Sequence, residues 1–421
     1  MNAIRTRVFL LVYSVGLSCS ILISWILQQY FALDVGAMLV FPGADANCDV
    51  GRESLGIHCF GDFSAIRFTE PWSKPSGAEL VYPLSSRLVR LPFFLVEHLT
   101  SYRFALSAFL VIGVAMCIFP LLHSLKNQGP YMRIAGSFII GITNIGTISA
   151  LDRGNIIVFC VPLIYLFWVA EARSKTKWAI LSLCLAVSIK PQLVLLNALF
   201  LWKRKNRAAM VSTLISLLVL VAPYAVIDRG RFDEIRLWIS EMRRWSQSMG
   251  PEVTYPPNVA FNRLFGILGL NTYYAGYLIA AAFILAITVT SRRNRTQSLT
   301  SPMIGLILVT ALSGPIAYIY YVVLLIPAVA ILLSDSNDPP ATIDVSRSAA
   351  SLLSLVLPLT LLPIAIPRHL KFGEPIGTFG TFNIWPPVVP GLILFSILGI
   401  LLSEGITLKT ALPISQIREG Q

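Results

Sequence analysis

The sequence predicts an all-α polytopic membrane protein, and three observations carry that fold class. Apolar runs of about twenty residues recur from one end of the chain to the other, each long enough to cross a bilayer core. Only 13% of the 421 residues are charged, where a soluble domain carries about a quarter. The mean hydropathy is +0.72. No soluble domain fits between the apolar runs, so residues 1–421 read as a single integral membrane domain.

Taken in order, the first run, Val8–Gln28, follows Arg5 and Arg7. It is long for the apolar core of a signal peptide and lacks a small-x-small cleavage site, so it reads as a retained span. A long polar stretch follows, Tyr30 to about Leu91, and residues 30–101 form the first loop, expected outside the cytoplasm. The loop's end, Leu84–Leu99, reads as a juxtamembrane helix interrupted by Pro92. Further spans are expected at Tyr102–Leu122, Met132–Ala150, Asn155–Ala170, Ala208–Ile227, Thr272–Thr290, Ala349–Ile366 and Pro387–Ser403.

Two apolar stretches are broken. Glu171–Lys177 and Lys203–Arg207 are both basic and belong on one side, so Trp178–Ile189 and Pro191–Trp202 go in and come back, turning at Lys190-Pro191. Each arm is shorter than the roughly twenty residues a crossing needs, and such broken backbone survives at membrane depth only inside protein or beside a wet cavity. Thr300–Leu312 and Ile316–Leu333 behave alike, turning at Ser313-Gly314-Pro315. With both hairpins counted, the chain has about ten to twelve membrane segments and cytoplasmic termini. Residues 228–271 form a second outer segment. Within it Phe232, Ile235, Ile239, Met242, Trp245 and Met249 recur at helical spacing opposite a charged face, the pattern of an interfacial amphipathic helix.

Net charge is +12. In this topology the cytoplasmic segments hold 17 Lys and Arg against 6 Asp and Glu, the remainder 16 against 15. That is the positive-inside asymmetry of a multi-pass plasma-membrane protein, with membrane lipids as its surroundings, and no nucleic-acid footprint. Cys19, Cys117, Cys160 and Cys184 lie in apolar runs as core fillers, while Cys48 and Cys59 share the first loop and are a possible disulfide. No P-loop, dinucleotide fingerprint, HExxH or G-x-S-x-G occurs. The four histidines have no metal-ligand spacing, so neither metal nor cofactor is expected.

What remains is an outward-facing set of ionisable and aromatic residues. It comprises Asp62 with Arg67 five residues on, Tyr82 before Pro83, the tetrad Asp152-Arg153-Gly154-Asn155, Lys190, Tyr255 and Asn258, and Tyr318, Tyr320 and Tyr321. Ionisable groups at membrane depth are costly to keep and mark function. Each also admits a plainer reading. Asp62 is then a solvated loop residue, Asp152 and Arg153 an ion pair beside a helix cap at Asn155, Lys190 a snorkelling lysine, and the tyrosines an aromatic belt.

The order of these motifs resembles glycosyltransferase family 87 of the GT-C superfamily. Its members include polyprenol-phosphate-dependent mannosyl- and arabinofuranosyltransferases. Asp62-Phe63, Tyr82-Pro83 and Leu91-Pro92-Phe93 are similar to its opening, with Leu84 where a second proline is common. Arg153-Gly154-Asn155, a span, a basic loop, Ile189-Lys190-Pro191 and the basic exit Lys203–Arg207 are similar to its most recognisable block. Tyr255–Asn258 and Pro315–Tyr321 match more loosely, and a histidine often expected near the latter is absent.

The resemblance covers Tyr30 to about Pro327 and implies a GT-C-like bundle with an essential acid in the first outer loop, which falls on Asp62. It implies transfer of one sugar, with inversion and without a metal, from a polyprenyl-phosphate sugar donor to a lipid or glycan acceptor. Asp45, Asp49 and Glu70 are the fallback acids, and Arg67, Arg153, Lys190 or Arg243 and Arg244 the cations for the donor phosphate. Rival readings are a transporter or flippase of a lipid-linked sugar, and a lipid-glycan ligase or polymerase. Against a transporter stand the absence of repeated halves and the length of the first loop.

Overall fold

The computed structural model describes residues 2–31, 62–63, 82–227, 233–248, 260–262, 265, 274–293, 300–314, 317–334, 355–356, 358–360, 365–367, 381–383, 389–394 and 397–398. It is helical almost throughout. The exception is a small antiparallel pair, β1 (Ala365–Pro367) with β2 (Thr381–Asn383), in which Ile366 lies opposite Phe382. The expected span Ala349–Ile366 therefore ends in extended backbone, a correction at its last two residues that suits β-branched Ile366 and the following proline.

Among the described residues, three helices are long and apolar enough to cross a membrane: α1 (Asn2–Phe31), α3 (Tyr102–Ser124) and the helix Asn206–Ile227. A fourth span exists if α4 (Pro130–Ile142) and α5 (Ile145–Asp152), bent by 58°, count as one. The bend is made by Asn144. Its side chain accepts from Thr147 N–H as an N-cap and returns its amide to Ile140 and Gly141 carbonyls, satisfying both helix ends at one residue.

The other apolar segments among the described residues are shorter, Ile156–Ala172, Thr176–Ile189, Pro191–Trp202, Ala275–Ala286, Pro302–Leu312 and Ile319–Leu333. Among the described residues the expected spans are thus three or four long helices together with shorter ones, and most of Ala349–Ile366 and Pro387–Ser403 lies outside the described residues. α2 (Arg87–Leu99) also differs from expectation. It carries Pro92 without interruption, after a 3₁₀ turn at Leu84–Ser86.

Three of the short segments open as 3₁₀ helix before continuing as α-helix. Ile156–Phe159 leads into α6 (Cys160–Ala172), Pro191–Asn197 into α8 (Ala198–Trp202) and Ile319–Leu324 into the helix Leu325–Leu333. Between the first two lies α7 (Thr176–Ile189), which packs along α6 and stops at Lys190 in extended conformation, as residue-before-proline sterics require. The Lys190 hairpin predicted from charge is therefore present.

Its foot is fastened. Glu171, fully buried, takes the Lys205 ammonium at 2.5 Å and the Lys203 ammonium at 3.6 Å, so the two basic loops sit together. Both loops close by the same cap. Lys175 N–H reaches Ala170 O and Ser174 N–H reaches Glu171 O, while Lys205 and Arg204 repeat the pattern onto Phe200 and Leu201. Ser174 (φ 57°) and Arg204 (φ 58°) occupy the left-handed position that glycine usually fills.

One contiguous apolar core runs through these segments. At one point backbones meet. A Cβ on Gly146 of α5 would fall 2.2 Å from Val323 N, so only glycine lets α5 lie against the third 3₁₀ segment. That contact carries Tyr320 and Tyr321 toward Asn155 and Arg153.

Candidate functional site

The site grows from a helix stop that is also a helix start. α5 ends at Asp152 with Arg153 as its C-cap. Gly154 (φ +65°) and Asn155 turn back onto Leu151 and Ala150 carbonyls, and Asn155 then caps the next helix by accepting from Ile157 N–H at 3.0 Å. Gly154 is required twice over. Its φ is left-handed, and a Cβ there would lie 2.4 Å from Phe63 Cβ. Phe63 packs edge-on and tilted against Phe93, Tyr102 and Phe109, which locks the residue before it.

That residue is Asp62. Its N–H donates to Arg153 O at 2.9 Å. Its carboxylate receives Arg153 at Oδ1 (3.1 Å) and Oδ2 (3.4 Å), and Asn155 Nδ2 at Oδ2 (2.7 Å). Asn155 spends its second amide proton on Tyr82 Oη at 2.8 Å, so every polar atom of its side chain is engaged. An aspartate at 155 would instead face Asp62 with like charge. Burial alone would push the Asp62 carboxyl up. The Arg153 charge, the hydrogen bonds from Asn155 and Arg153, and the Lys190 charge outweigh it and hold the carboxyl below its ordinary range. Tyr82 moves the other way. Burial and then the Asp62 charge raise it well above the usual phenol range, so it stays a neutral hydroxyl.

Lys190 enters from the tip of its hairpin. Its ammonium stands 4.9 Å from the Tyr82 ring centre, 5.1 Å from Tyr321 and 5.8 Å from Tyr320. Only 6% of the residue is exposed, and among the described residues it has no ion pair. The plainer reading of Lys190 as a snorkelling residue is thereby corrected: its head is caged, not extended to water. Likewise Tyr320 and Tyr321 are buried and stacked (5.2 Å, 23°), with Tyr318 half-buried beside Tyr320 (5.4 Å, 29°), which is not the exposure of an interfacial belt.

Two further residues escape a sequence reading. Arg90 of α2 is buried and lies 4.3 Å over the face of Tyr82, so that ring lies between two cations. Its signal was present, an arginine three positions before buried Phe93 on the core face of an amphipathic helix. Tyr224 near the end of the Asn206–Ile227 helix, wholly buried, takes a hydrogen bond from Leu84 N–H at 3.2 Å. Ser85 Oγ donates to Ser188 O at 2.8 Å. Together they pin the turn after Tyr82-Pro83 to the Lys190 hairpin.

Of the residues named from sequence, Asp62, Tyr82, Arg153, Asn155, Lys190, Tyr318 and Tyr320 come together. Arg153, expected beside Asp152, also pairs across the chain with Asp62, and the left-handed Gly154 follows it in the turn. Arg243 and Arg244 are exposed on the helix Asp233–Ser248, and Arg244 pairs with Glu241 at 2.6 Å. Arg67, Tyr255, Asn258, Cys48, Cys59, Asp45, Asp49 and Glu70 lie outside the described residues. Among the described residues no group of His, Cys, Asp and Glu could hold a metal ion.

The three 3₁₀ segments follow Asn155, Lys190 and Tyr318, three residues of this cluster, and of these only Asn155 caps its segment through the side chain. Such an arrangement can hold an anion and place a base next to it. A family model described as Glycosyltransferase family 87 matches residues 80–358, about two thirds of the chain, taking in all of the cluster except Asp62 and Phe63 just before it. No curated protein and no solved structure matches the chain.

Proposed function

The chain belongs to glycosyltransferase family 87, and from that premise we propose that it moves one sugar, mannose or arabinofuranose, from a polyprenyl-phosphate donor to a lipid or glycan acceptor. The reaction takes place on the extracytoplasmic side of the membrane. Sugar donor and acceptor follow from the family; the lipid phosphate and the sidedness are inferred from the site and the charge pattern.

One observation carries the reading, the caged ammonium of Lys190. A buried charge without a direct ion pair costs several kcal/mol. The Asp62 carboxylate, already held by Arg153, and three tyrosine faces at 4.9–5.8 Å worth about 0.5–2 kcal/mol each offset part of that cost. A phosphate oxyanion supplies the remainder through a charge-assisted bond. Nucleotide sugars are absent outside the cytoplasm, so an activated sugar must arrive there on a lipid. A lipid phosphate is both the anion this site favours and a competent leaving group.

In this scheme Asp62 accepts the proton of the acceptor hydroxyl as its oxygen attacks the anomeric carbon. The carbon–phosphate-oxygen bond breaks on the opposite face, and the configuration inverts. Asp62 is a weak base, since its pKa is held low, but it is always in its ionised form, and Arg153 with Asn155 fixes its aim. The Tyr82 hydroxyl accepts from Asn155, and among the described residues nothing accepts its own proton, which is left for a substrate oxygen.

The test is the purified full chain in detergent with labelled mannosyl- and arabinofuranosyl-phosphoryl polyprenols. Single-sugar transfer that falls about 10²–10⁴-fold in Asp62→Asn supports the reading. Retention of a tenth of turnover would move the base to Asp45, Asp49 or Glu70. Transport of a lipid-linked sugar across vesicles without transfer would refute the enzyme itself.

A further inference from the structure

The other end of the bundle holds a second polar cluster that sugar transfer does not use. α7 separates the two, and its 14 residues span about 21 Å. α3 closes with His123 and Ser124, next to Tyr165 and Trp168 of α6. His123 Nδ1 lies 2.9 Å from Tyr165 Oη, and Ser124 Oγ lies 3.0 Å from the same oxygen while donating to Ala330 O at 2.6 Å. Tyr165 and Trp168 rings pack at 5.8 Å. This chain of hydrogen bonds consumes one imidazole nitrogen and leaves the other edge of the half-buried His123 facing out.

Around that edge stand cations. Lys126, three residues on, closes the turn by donating its N–H to His123 O. Arg133 of α4 donates its Nε to Leu122 O at 3.1 Å, which sets its guanidinium at the end of α3. Arg173 is the C-cap of α6. Lys126, Arg173 and Arg133, all exposed, are the charges near enough to act on His123, and among the described residues none of the three is ion-paired. The nearby acid Glu171 is already taken by Lys203 and Lys205. A second observation points inward. The Trp168 indole N–H is buried and has no hydrogen-bond acceptor, although the residue is only 7% exposed. An unfilled donor in such a place awaits an oxygen.

We propose that His123, Lys126, Arg133, Arg173 and Trp168 form a binding site for the phosphate of an anionic phospholipid in the leaflet on the basic side of the bundle. The chemistry is that of an oxyanion: one sign of charge, a ring edge and an indole donor, at the depth where a headgroup meets the ends of membrane helices. Basic loops alone satisfy the positive-inside tendency wherever they fall. They do not require three unpaired cations at the helix ends around one histidine, with an unfilled indole donor packed against its tyrosine partner. The site is independent of the sugar-transfer reading, because its test measures lipid retention and not turnover.

The experiment uses the full chain in nanodiscs of phosphatidylcholine, with or without a small fraction of phosphatidylglycerol, followed by native mass spectrometry and thermal unfolding. One phosphatidylglycerol should remain bound per chain and raise the unfolding temperature, and about 10 mM inorganic phosphate should not reproduce this. Lys126→Gln/Arg133→Gln/Arg173→Gln should lower retention at least about tenfold, with unfolding in pure phosphatidylcholine unchanged.

The charge-matched control Lys175→Gln/Lys177→Gln/Arg207→Gln should keep the lipid. Equal loss in the control would show a diffuse surface field and overturn the site. An equal effect of inorganic phosphate would overturn the lipid as its source. Should the triple variant unfold, Trp168→Phe, which removes only the indole donor, decides: unchanged retention refutes the site.

Discussion

Gly154→Ala tests how the site is built, because one methyl group strikes both the turn and the base. The residue sits at φ +65°, where a Cβ costs about 1–2 kcal/mol. The added atom would also lie 2.4 Å from Phe63 Cβ and 3.0 Å from Phe63 N, and these are chain atoms that cannot rotate aside. Relief of such overpacking costs typically 1–3 kcal/mol. The sum, about 2–5 kcal/mol, should lower the unfolding temperature in detergent by roughly 2–6 °C.

Phe63 is wedged against Phe93, Tyr102 and Phe109, so the strain is relieved toward Asp62. Displacement of a reacting group by about 1 Å costs on the order of 10²-fold in turnover. Donor binding should change little, since Lys190 hangs from a different hairpin. Gly129→Ala is the control, for nothing lies within 4 Å of a Cβ there. A Gly154→Ala protein with wild-type unfolding temperature and turnover would refute the claim that Phe63 and the Gly154 turn together aim Asp62.

Three further outcomes are expected. Lys190→Met should weaken donor affinity or turnover by about one to two decades while the chain stays folded, and Lys190→Arg should rescue only in part, as a planar fork does not fit a cage shaped for an ammonium; a folded Lys190→Met with unchanged donor titration would leave Arg153 as the phosphate ligand. The Asp62 carboxyl is held below its ordinary range, so the stability that its contacts supply is complete above about pH 4 and is lost as pH falls through the lower folded value; turnover should show no acid limb between pH 5 and 6 due to Asp62, and such a limb vanishing in Asp62→Asn would contradict it. Ser174→Gly should raise the unfolding temperature slightly, by about 1 kcal/mol of relieved left-handed strain, with no change in turnover.

The sequence reached the architecture where physics is local. Lys190-Pro191 between two basic loops implied a hairpin, because proline sterics and positive-inside charge act over a few residues, and the Glu171–Lys205 pair bears it out. Amphipathic spacing likewise found the helix Asp233–Ser248. Contacts between residues far apart in the chain leave no such local trace. Arg153 pairs with Asp62, which lies 91 positions earlier, and nothing near it in the chain announces that contact. Arg90 looked like one more charge on a surface helix, and nothing local says that Tyr82 will lie beneath it. Segments expected as plain spans gave way to 3₁₀ openings, since apolar composition fixes depth in a membrane and leaves the winding of the backbone to its neighbours.

The sealed carboxylate of Glu171 has a mechanical consequence. A lysine at the tip of a two-armed hairpin is a lever, and levers move about their foot. Here the foot is clamped: tilting either arm would pull Lys205 from a carboxylate with no water to receive it. The stroke available to Lys190 is therefore small, and its ammonium acts as a fixed post. A substrate that docks against a fixed post must be admitted by some other part of the enclosure. On that account the wall freer to yield is the one bearing Tyr82, held by hydrogen bonds from Asn155 and through Leu84 and Ser85 and by cation contacts, not by a buried ion pair.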